Sequence, residues 1–136
     1  MAGNREDYGK LLLRLAVGGL MLFHGVSKLQ HGVGFIAQTL QSAGWPGFLA
    51  YGVYVGEVVA PLMILAGVGT RIAGLIVAFD MVVAIGLVQS KRIFSLNEMG
   101  GAWAIELEMF YLLGGLALAF LGGGRLGFSK GGGKWD

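Results

Sequence analysis

Residues 48–89 of the chain are FLAYGVYVGEVVAPLMILAGVGTRIAGLIVAFDMVVAIGLVQ. This stretch contains two apolar segments, 48–68 and 72–89, which are separated only by Gly69, Thr70 and Arg71. Each segment is close to the roughly 20 apolar residues that a helix needs to cross a bilayer. Two such helices joined by three residues have to run antiparallel. The stretch therefore predicts a helical hairpin inside a membrane.

Two further apolar segments, 11–28 and 105–121, flank this hairpin. Together the four segments predict an all-α fold, a polytopic membrane four-helix bundle. We expect one transmembrane domain over residues 1–128 and a flexible C-terminal tail over 129–136. The basic start of the first segment also suits a signal peptide. Arg14 interrupts its apolar run, however, and no small-residue cleavage site follows, so a retained helix is expected.

The composition agrees with a membrane protein and excludes other classes. Hydrophobic residues make up 55% of the 136 residues and charged residues only 13%, about half the share in an ordinary soluble domain. A chain this apolar, with a net charge of only +2, is not intrinsically disordered. Because it has no cysteine, it has neither a disulfide framework nor a thiolate metal site. We expect the lipid bilayer as its main partner and no nucleic acid.

Basic residues set the expected orientation of the helices, because they are more frequent in cytoplasmic loops. One side carries the N-terminus, the 69–71 turn and the tail, with six basic residues: Arg5, Lys10, Arg71, Arg125, Lys130 and Lys134. The other side carries three: Lys28, Lys91 and Arg92. This bias predicts that both termini are cytoplasmic and that the two long loops face outward. The expected location is the bacterial cytoplasmic (inner) membrane.

Glycine is unusually frequent, with 26 residues. Small residues allow helices in lipid to approach closely, as the spacing of Gly52, Gly56 and Ala60 suggests. The same residues would equally serve a homo-oligomer. The run 122–127 matches G-x-G-x-x-G, but it follows a helix rather than a strand, so it is interpreted as a helix stop.

Several ionisable side chains lie in or at the ends of the apolar segments, and a charge at the centre of the bilayer costs roughly 2.5–3.5 kcal/mol. They are Arg14, His24, Lys28, Glu57, Asp80, Glu106 and Glu108. One interpretation is internal ion pairing, with Lys28 on Glu57 or Glu106, and Arg14 snorkelling or pairing with Asp80. The other is a polar pocket that opens outward.

For the pocket, the candidates for ligand binding or proton handling are His24, Lys28, Glu57, Glu106, Asp80 and Arg14. Pro61 follows Glu57 by one turn and removes a helix hydrogen bond, so it should widen the bundle beside that carboxylate. Glu106 and Glu108 point to nearly opposite sides of their helix, so only one of them can face the pocket. No metal site is expected, and catalytic residues are not identified.

The chain resembles the DoxX family of small bacterial membrane proteins with four predicted helices. The resemblance covers about residues 10–130. It is carried by FHGVSKL (23–29), VGEVVAPLMILAGVGTR (55–71), DMVVAI (80–85) and GGGRLGFSK (122–130). The residues that match the recurring polar positions of the family are Arg14, His24, Gly25, Lys28, Glu57, Arg71 and Glu106. The chain departs from the family at Gln89, often His, and at Gly123, often Pro.

The resemblance implies a role in redox chemistry. Some relatives are associated with thiosulfate:quinone oxidoreductases, and others with a membrane complex that couples oxidant detoxification to thiol metabolism. The first hypothesis is therefore a membrane subunit of an oxidoreductase system that binds a quinone-like molecule between Phe23, Phe79, Phe110 and Tyr111. No intrinsic cofactor is expected, so electrons would come from a redox partner protein. The alternative is a non-enzymatic carrier, or an assembly or structural partner.

Overall fold

The computed structural model of the chain describes residues 2–136; residue 1, where the predicted domain begins, lies outside them. Within this range the chain is helical and contains no strand. Its helices are α1 (Ala2–Arg14), α2 (Leu20–His31), α3 (Gly34–Ser42), α4 (Ala60–Ala66), α5 (Thr70–Leu87) and α6 (Glu106–Leu121). Shorter elements are the π-helical turns Leu15–Gly19 and Val55–Val59 and the 3₁₀ turns Gly47–Gly52 and Ser90–Arg92.

Three helical stretches are long and apolar enough to cross a membrane: the first span, Gly3–His31, the second span, Gly47–Ala66, and the third span, Thr70–Leu87. All three contain or closely match a predicted segment. The predicted fourth segment forms α6, whose 16 residues reach about 24 Å, less than the roughly 30 Å hydrocarbon core. This helix stops at Gly122, whose φ of +78° does not continue a right-handed helix.

The four helical stretches pack around one buried core. The most extensive contact is between α5 and α6, and the first span packs on α4 through its π-helical turn. Val17, Met21, Ile64, Val77 and Leu118 are the largest apolar side chains in the centre of this core. We call the end with the long connections 32–46 and 88–105 the loop end, and the end with the turn 67–69 the turn end.

Arg14 holds the turn end together. Its side chain is only 1% exposed, yet its guanidinium donates four hydrogen bonds to main-chain carbonyls. Those of Ile64 (2.8 Å) and Leu65 (2.7 Å) belong to the last turn of α4, and those of Gly123 (3.1 Å) and Leu126 (3.0 Å) follow α6. The last carbonyls of a helix lack intrahelical partners and attract cations. Arg14 thus binds carbonyls rather than Asp80, one of its expected partners.

The tail 129–136, which is expected from its sequence to be flexible, folds back onto the turn end. The Ser129 hydroxyl donates to the Gly67 carbonyl at 2.5 Å, and Arg71 Nε donates to the Asp136 main-chain oxygen at 3.0 Å. The Arg71 amide also donates to the Trp135 carbonyl at 3.1 Å. The tail therefore accepts hydrogen bonds from polar groups at the start of α5 that would otherwise need water. Glycine richness alone did not indicate these contacts.

Two π-helical turns interrupt the first and second spans at the places where the spans contact each other. The turn at Leu15–Gly19 packs on α4, and the turn at Val55–Val59 packs on α2. The second of them contains Glu57 and ends two residues before Pro61, so the backbone beside this carboxylate departs from a regular α-helix. Such turns occur frequently at functional sites.

Candidate functional site

A cavity of about 250 Å³ lies at the loop end between the first, second and third spans and α6. Its polar lining comes from all four helical stretches: His24, Lys28, Glu57, Asp80, Gln89 and Glu108. The rest of the lining is apolar and includes Met21, Met81, Leu87 and Tyr111. Four of the six residues singled out as candidates from the sequence, His24, Lys28, Glu57 and Asp80, therefore converge on one cavity.

Lys28 and Glu57 form an ion pair across the first and second spans. The Glu57 side chain is 7% exposed and the Lys28 side chain 27%, so the cation is the more accessible member. The helix carrying Lys28 is also fixed at its end, because the Tyr54 hydroxyl donates to the Lys28 carbonyl at 3.0 Å. The pairing of Lys28 with Glu57 is one of the two expected for this lysine.

The first and second spans pack closely at Gly25, which brings Glu57 near Lys28. A Cβ added at Gly25 would lie 2.6 Å from the Glu57 carbonyl carbon and 2.7 Å from Val58 Cγ2. Only glycine at position 25 allows the two helices to come this close. Gly25 and Lys28 are three residues apart, about one turn, so the close approach and the ion pair lie on neighbouring parts of one helix face.

Asp80 lies on the third span, against the second. A Cβ added at Gly56 would come within 2.6 Å of the Asp80 carboxyl carbon, so the carboxyl group rests on this glycine. Its Oδ2 is buried and has no hydrogen-bond partner among residues 2–136. A buried carboxyl oxygen without a partner is costly, which makes Asp80 a natural acceptor or donor for a molecule in the cavity.

On α6 the structure places Glu108, and not the candidate Glu106, in the cavity. Glu106 is exposed at the first residue of the helix. Gln89 Nε2 donates to Glu108 Oε1 at 3.1 Å and so links the end of the third span to α6. Because the two glutamates are two residues apart, the rotation of α6 alone decides which one faces inward.

His24 lies at the edge of the cavity, with its ring edge-on to Tyr111 and 5.7 Å between the ring centroids. Of the four aromatic residues expected to hold a ring, Tyr111 is the one that lines the cavity. Phe23, Phe79 and Phe110 are more than half exposed on the outside of the helices. Arg14 is likewise outside the site, since it lies at the turn end.

Sequence reasoning missed Gln89 as a lining residue. The available signal was the resemblance to the family, in which the position of Gln89 is often a histidine. Within residues 2–136 no three His, Asp or Glu side chains are arranged to hold a metal ion. His31, two turns beyond His24, lies on the surface with Nδ1 at 2.9 Å from the Ser27 carbonyl oxygen.

Comparison with known proteins identifies the family of this chain. The DoxX family model matches residues 9–90, more than half of the chain. The chain belongs to the DoxX family. This DoxX chain is 35% identical over 116 residues to a Bacillus subtilis (strain 168) protein named "Putative oxidoreductase CatD", covering 85% of this chain and 81% of that relative. No solved structure matches it significantly. Family membership and the apolar helices identify a DoxX-type membrane protein.

Proposed function

We propose that this DoxX protein is the membrane subunit of an oxidoreductase system and binds a quinone-like small molecule in the cavity at the loop end. The observation that carries the proposal is the cavity itself, in which an ion pair, two further carboxyl groups, an amide and an imidazole surround an apolar space. The name of the Bacillus subtilis relative supports a redox role.

The proposal includes a transmembrane arrangement of all four helical stretches in the bacterial inner membrane, with both termini in the cytoplasm. Support for α6 as the fourth membrane helix comes from its outer surface. Leu107, Phe110, Leu113 and Phe120 are each more than half exposed on this helix, which suits contact with lipid rather than water. Six basic residues at the turn end against three at the loop end support the orientation.

The side chains around the cavity suit a molecule with two oxygen functions. His24 and Lys28 supply donors for carbonyl oxygens, whereas Glu57, Asp80 and Glu108 supply acceptors for hydroxyl groups. A quinone, when bound, would accept two electrons and two protons to become a quinol. The electrons would come from a redox partner protein, since the chain contains no thiol and no redox group of its own is proposed.

Thermal stability measurements test the binding. Purified protein in lipid nanodiscs should melt at a higher temperature when a soluble benzoquinone is added, because a ligand that binds only the folded state stabilises it. Glu57→Gln should keep the fold but weaken this binding about tenfold or more, since a hydrogen bond to a charged group is worth about 1.5–3 kcal/mol. No shift in the wild-type protein would contradict the proposed function.

A matched pair of variants on α6 tests which glutamate takes part. Glu108→Gln should weaken benzoquinone binding several-fold, because Glu108 lines the cavity and receives the Gln89 hydrogen bond. Glu106→Gln should bind like the wild type, because its side chain is exposed outside the cavity. Dissociation constants from titrated thermal shifts provide the measurement. Equal losses in both variants would show that the net charge of the helix start, not the cavity, controls binding.

The Lys28–Glu57 ion pair also favours a second candidate function. In it, the buried charges only fasten the helices, and the protein is a carrier or an assembly partner without redox chemistry. This candidate predicts that Glu57→Gln fails to fold, because the variant leaves the Lys28 ammonium without its partner. A folded Glu57→Gln protein that has lost benzoquinone binding would reject it.

A further inference from the structure

A second, larger cavity lies on the outer surface of the hairpin formed by the second and third spans. This groove has a volume of about 870 Å³ and is lined almost entirely by apolar side chains, among them Leu49, Val55, Leu75 and Phe79. These four side chains are each more than two-fifths exposed. In a membrane protein such a groove between two spans faces the hydrocarbon chains of the lipid.

The groove adjoins the cavity of the proposed site. Five residues line both: Ile36, Val53, Asp80, Val83 and Leu87. The single polar residue among them is Asp80, whose Oδ2 has no partner in the described part of the chain. These five side chains therefore form the wall that the cavity shares with the groove, and this wall carries one polar group, the Asp80 carboxyl.

The cavity is small and the groove is large, and this difference suits a ligand with a small polar part and a long apolar part. Pockets that enclose whole drug-sized ligands measure about 300–1,000 Å³, so the cavity, at about 250 Å³, suits one polar ring and little more. A long apolar chain attached to that ring needs space elsewhere, and the groove offers more than three times the volume.

From this we infer that the natural ligand is a polar ring with a long apolar tail, whose ring lies in the cavity and whose tail leaves sideways through the groove into the bilayer. The inference rests on the proposed function and adds the ligand class and its route. A tail in the groove displaces lipid rather than water, so it directs access more than it adds affinity.

Two glycines allow a direct test, because they line the groove and leave room for a larger side chain. A Cβ added at Gly52 or Gly86 would meet no atom within 4 Å. The Cβ of a leucine at either position therefore meets no atom, and we expect Gly52→Leu and Gly86→Leu to extend into the groove and fill part of it. Gly9→Leu is the matched control, since Gly9 also has open space around it and lines neither cavity.

The probes are dimethoxy-methyl-benzoquinone without a tail and its decyl derivative, titrated against each protein in nanodiscs of phosphatidylethanolamine and phosphatidylglycerol. The tail-less probe should bind the wild type and all variants alike, within about twofold. The decyl probe should lose about tenfold or more in affinity for the two groove variants only, because the added side chain and the tail cannot occupy the same part of the groove. Using one lipid mixture throughout keeps probe partitioning the same.

Other results would overturn the inference. If the groove variants keep the wild-type ratio of the two affinities, something else fills the groove, such as a phospholipid chain or a second copy of the protein, while the proposed function stands. Equal weakening of both probes would mean that the substitutions disturb the cavity instead. If neither probe binds the wild type, the proposed function and the inference both fail. Should Gly52→Leu not fold, Gly86→Leu decides alone, as leucine favours a helix more than glycine does.

Discussion

Arg14→Met is expected to lower the stability of the protein more than any other single exchange of a polar side chain. The variant removes the four hydrogen bonds that Arg14 donates to the carbonyls of Ile64, Leu65, Gly123 and Leu126, of which the Ile64 carbonyl also accepts one from the Gly67 amide at 3.2 Å. Leaving buried carbonyls without partners costs about 1–3 kcal/mol each, so we expect a loss of about 3 kcal/mol or more. The melting temperature in detergent should fall by about 10 °C or more.

Two further variants make the result specific. Arg14→Lys should have an intermediate melting temperature, because one ammonium group cannot form all the hydrogen bonds that the planar guanidinium donates to two chain segments. Arg5→Met should change little, because Arg5 is exposed and makes none of these contacts. Equal melting temperatures for Arg14→Met and Arg5→Met would mean that the turn end does not depend on the buried guanidinium.

Gly25→Ala should be destabilising even though alanine is the better helix former. The added methyl group would lie 2.6 Å from the Glu57 carbonyl carbon, so the first and second spans have to move apart. Overpacking of this kind costs about 1–3 kcal/mol or more. Because the shift also displaces Glu57 from Lys28, benzoquinone binding should weaken together with the melting temperature.

Gly9→Ala is the matched control, for which no loss of stability is expected. Gly9 lies in α1, where an added Cβ meets no atom within 4 Å. The exchange should therefore leave stability unchanged or raise it by up to about 1 kcal/mol. If both alanine variants were as stable as the wild type or more stable, the contact between the first and second spans would not require glycine at position 25.

The sequence predicted the three membrane-length helical stretches and their order, because apolar length is a strong local signal. The third segment, for example, was expected at 72–89 and is found at Thr70–Leu87. The first helix starts well before its apolar run, since the polar residues of α1 find partners in space. Asp7, for instance, accepts a hydrogen bond from Arg125 Nε at 2.7 Å. That contact joins residues 118 positions apart, and no local pattern contains it.

For the candidate site, the sequence alone indicated which spans carry the polar side chains. His24, Lys28 and Glu57 share the loop end because their depths along the helices follow from counting residues. Counting residues does not give the rotation of a helix about its axis, however. The rotation of α6 decides that Glu108 faces the cavity while Glu106 does not. The partners of Arg14 were also out of reach, because helix-end carbonyls become available only after the helices are packed.

The π-helical turns change how the faces of the two long spans should be compared. Each turn closes its hydrogen bonds around one more residue than an α-helix does, and one residue corresponds to about 100° of rotation. A helical wheel drawn through Gly3–His31 as one regular helix therefore misplaces every side chain after Gly19 by that angle relative to Arg14. The same offset applies beyond Val59 in the second span. In the first span, this phase shift lies between Arg14, which binds carbonyls at the turn end, and Lys28, which lines the cavity at the loop end.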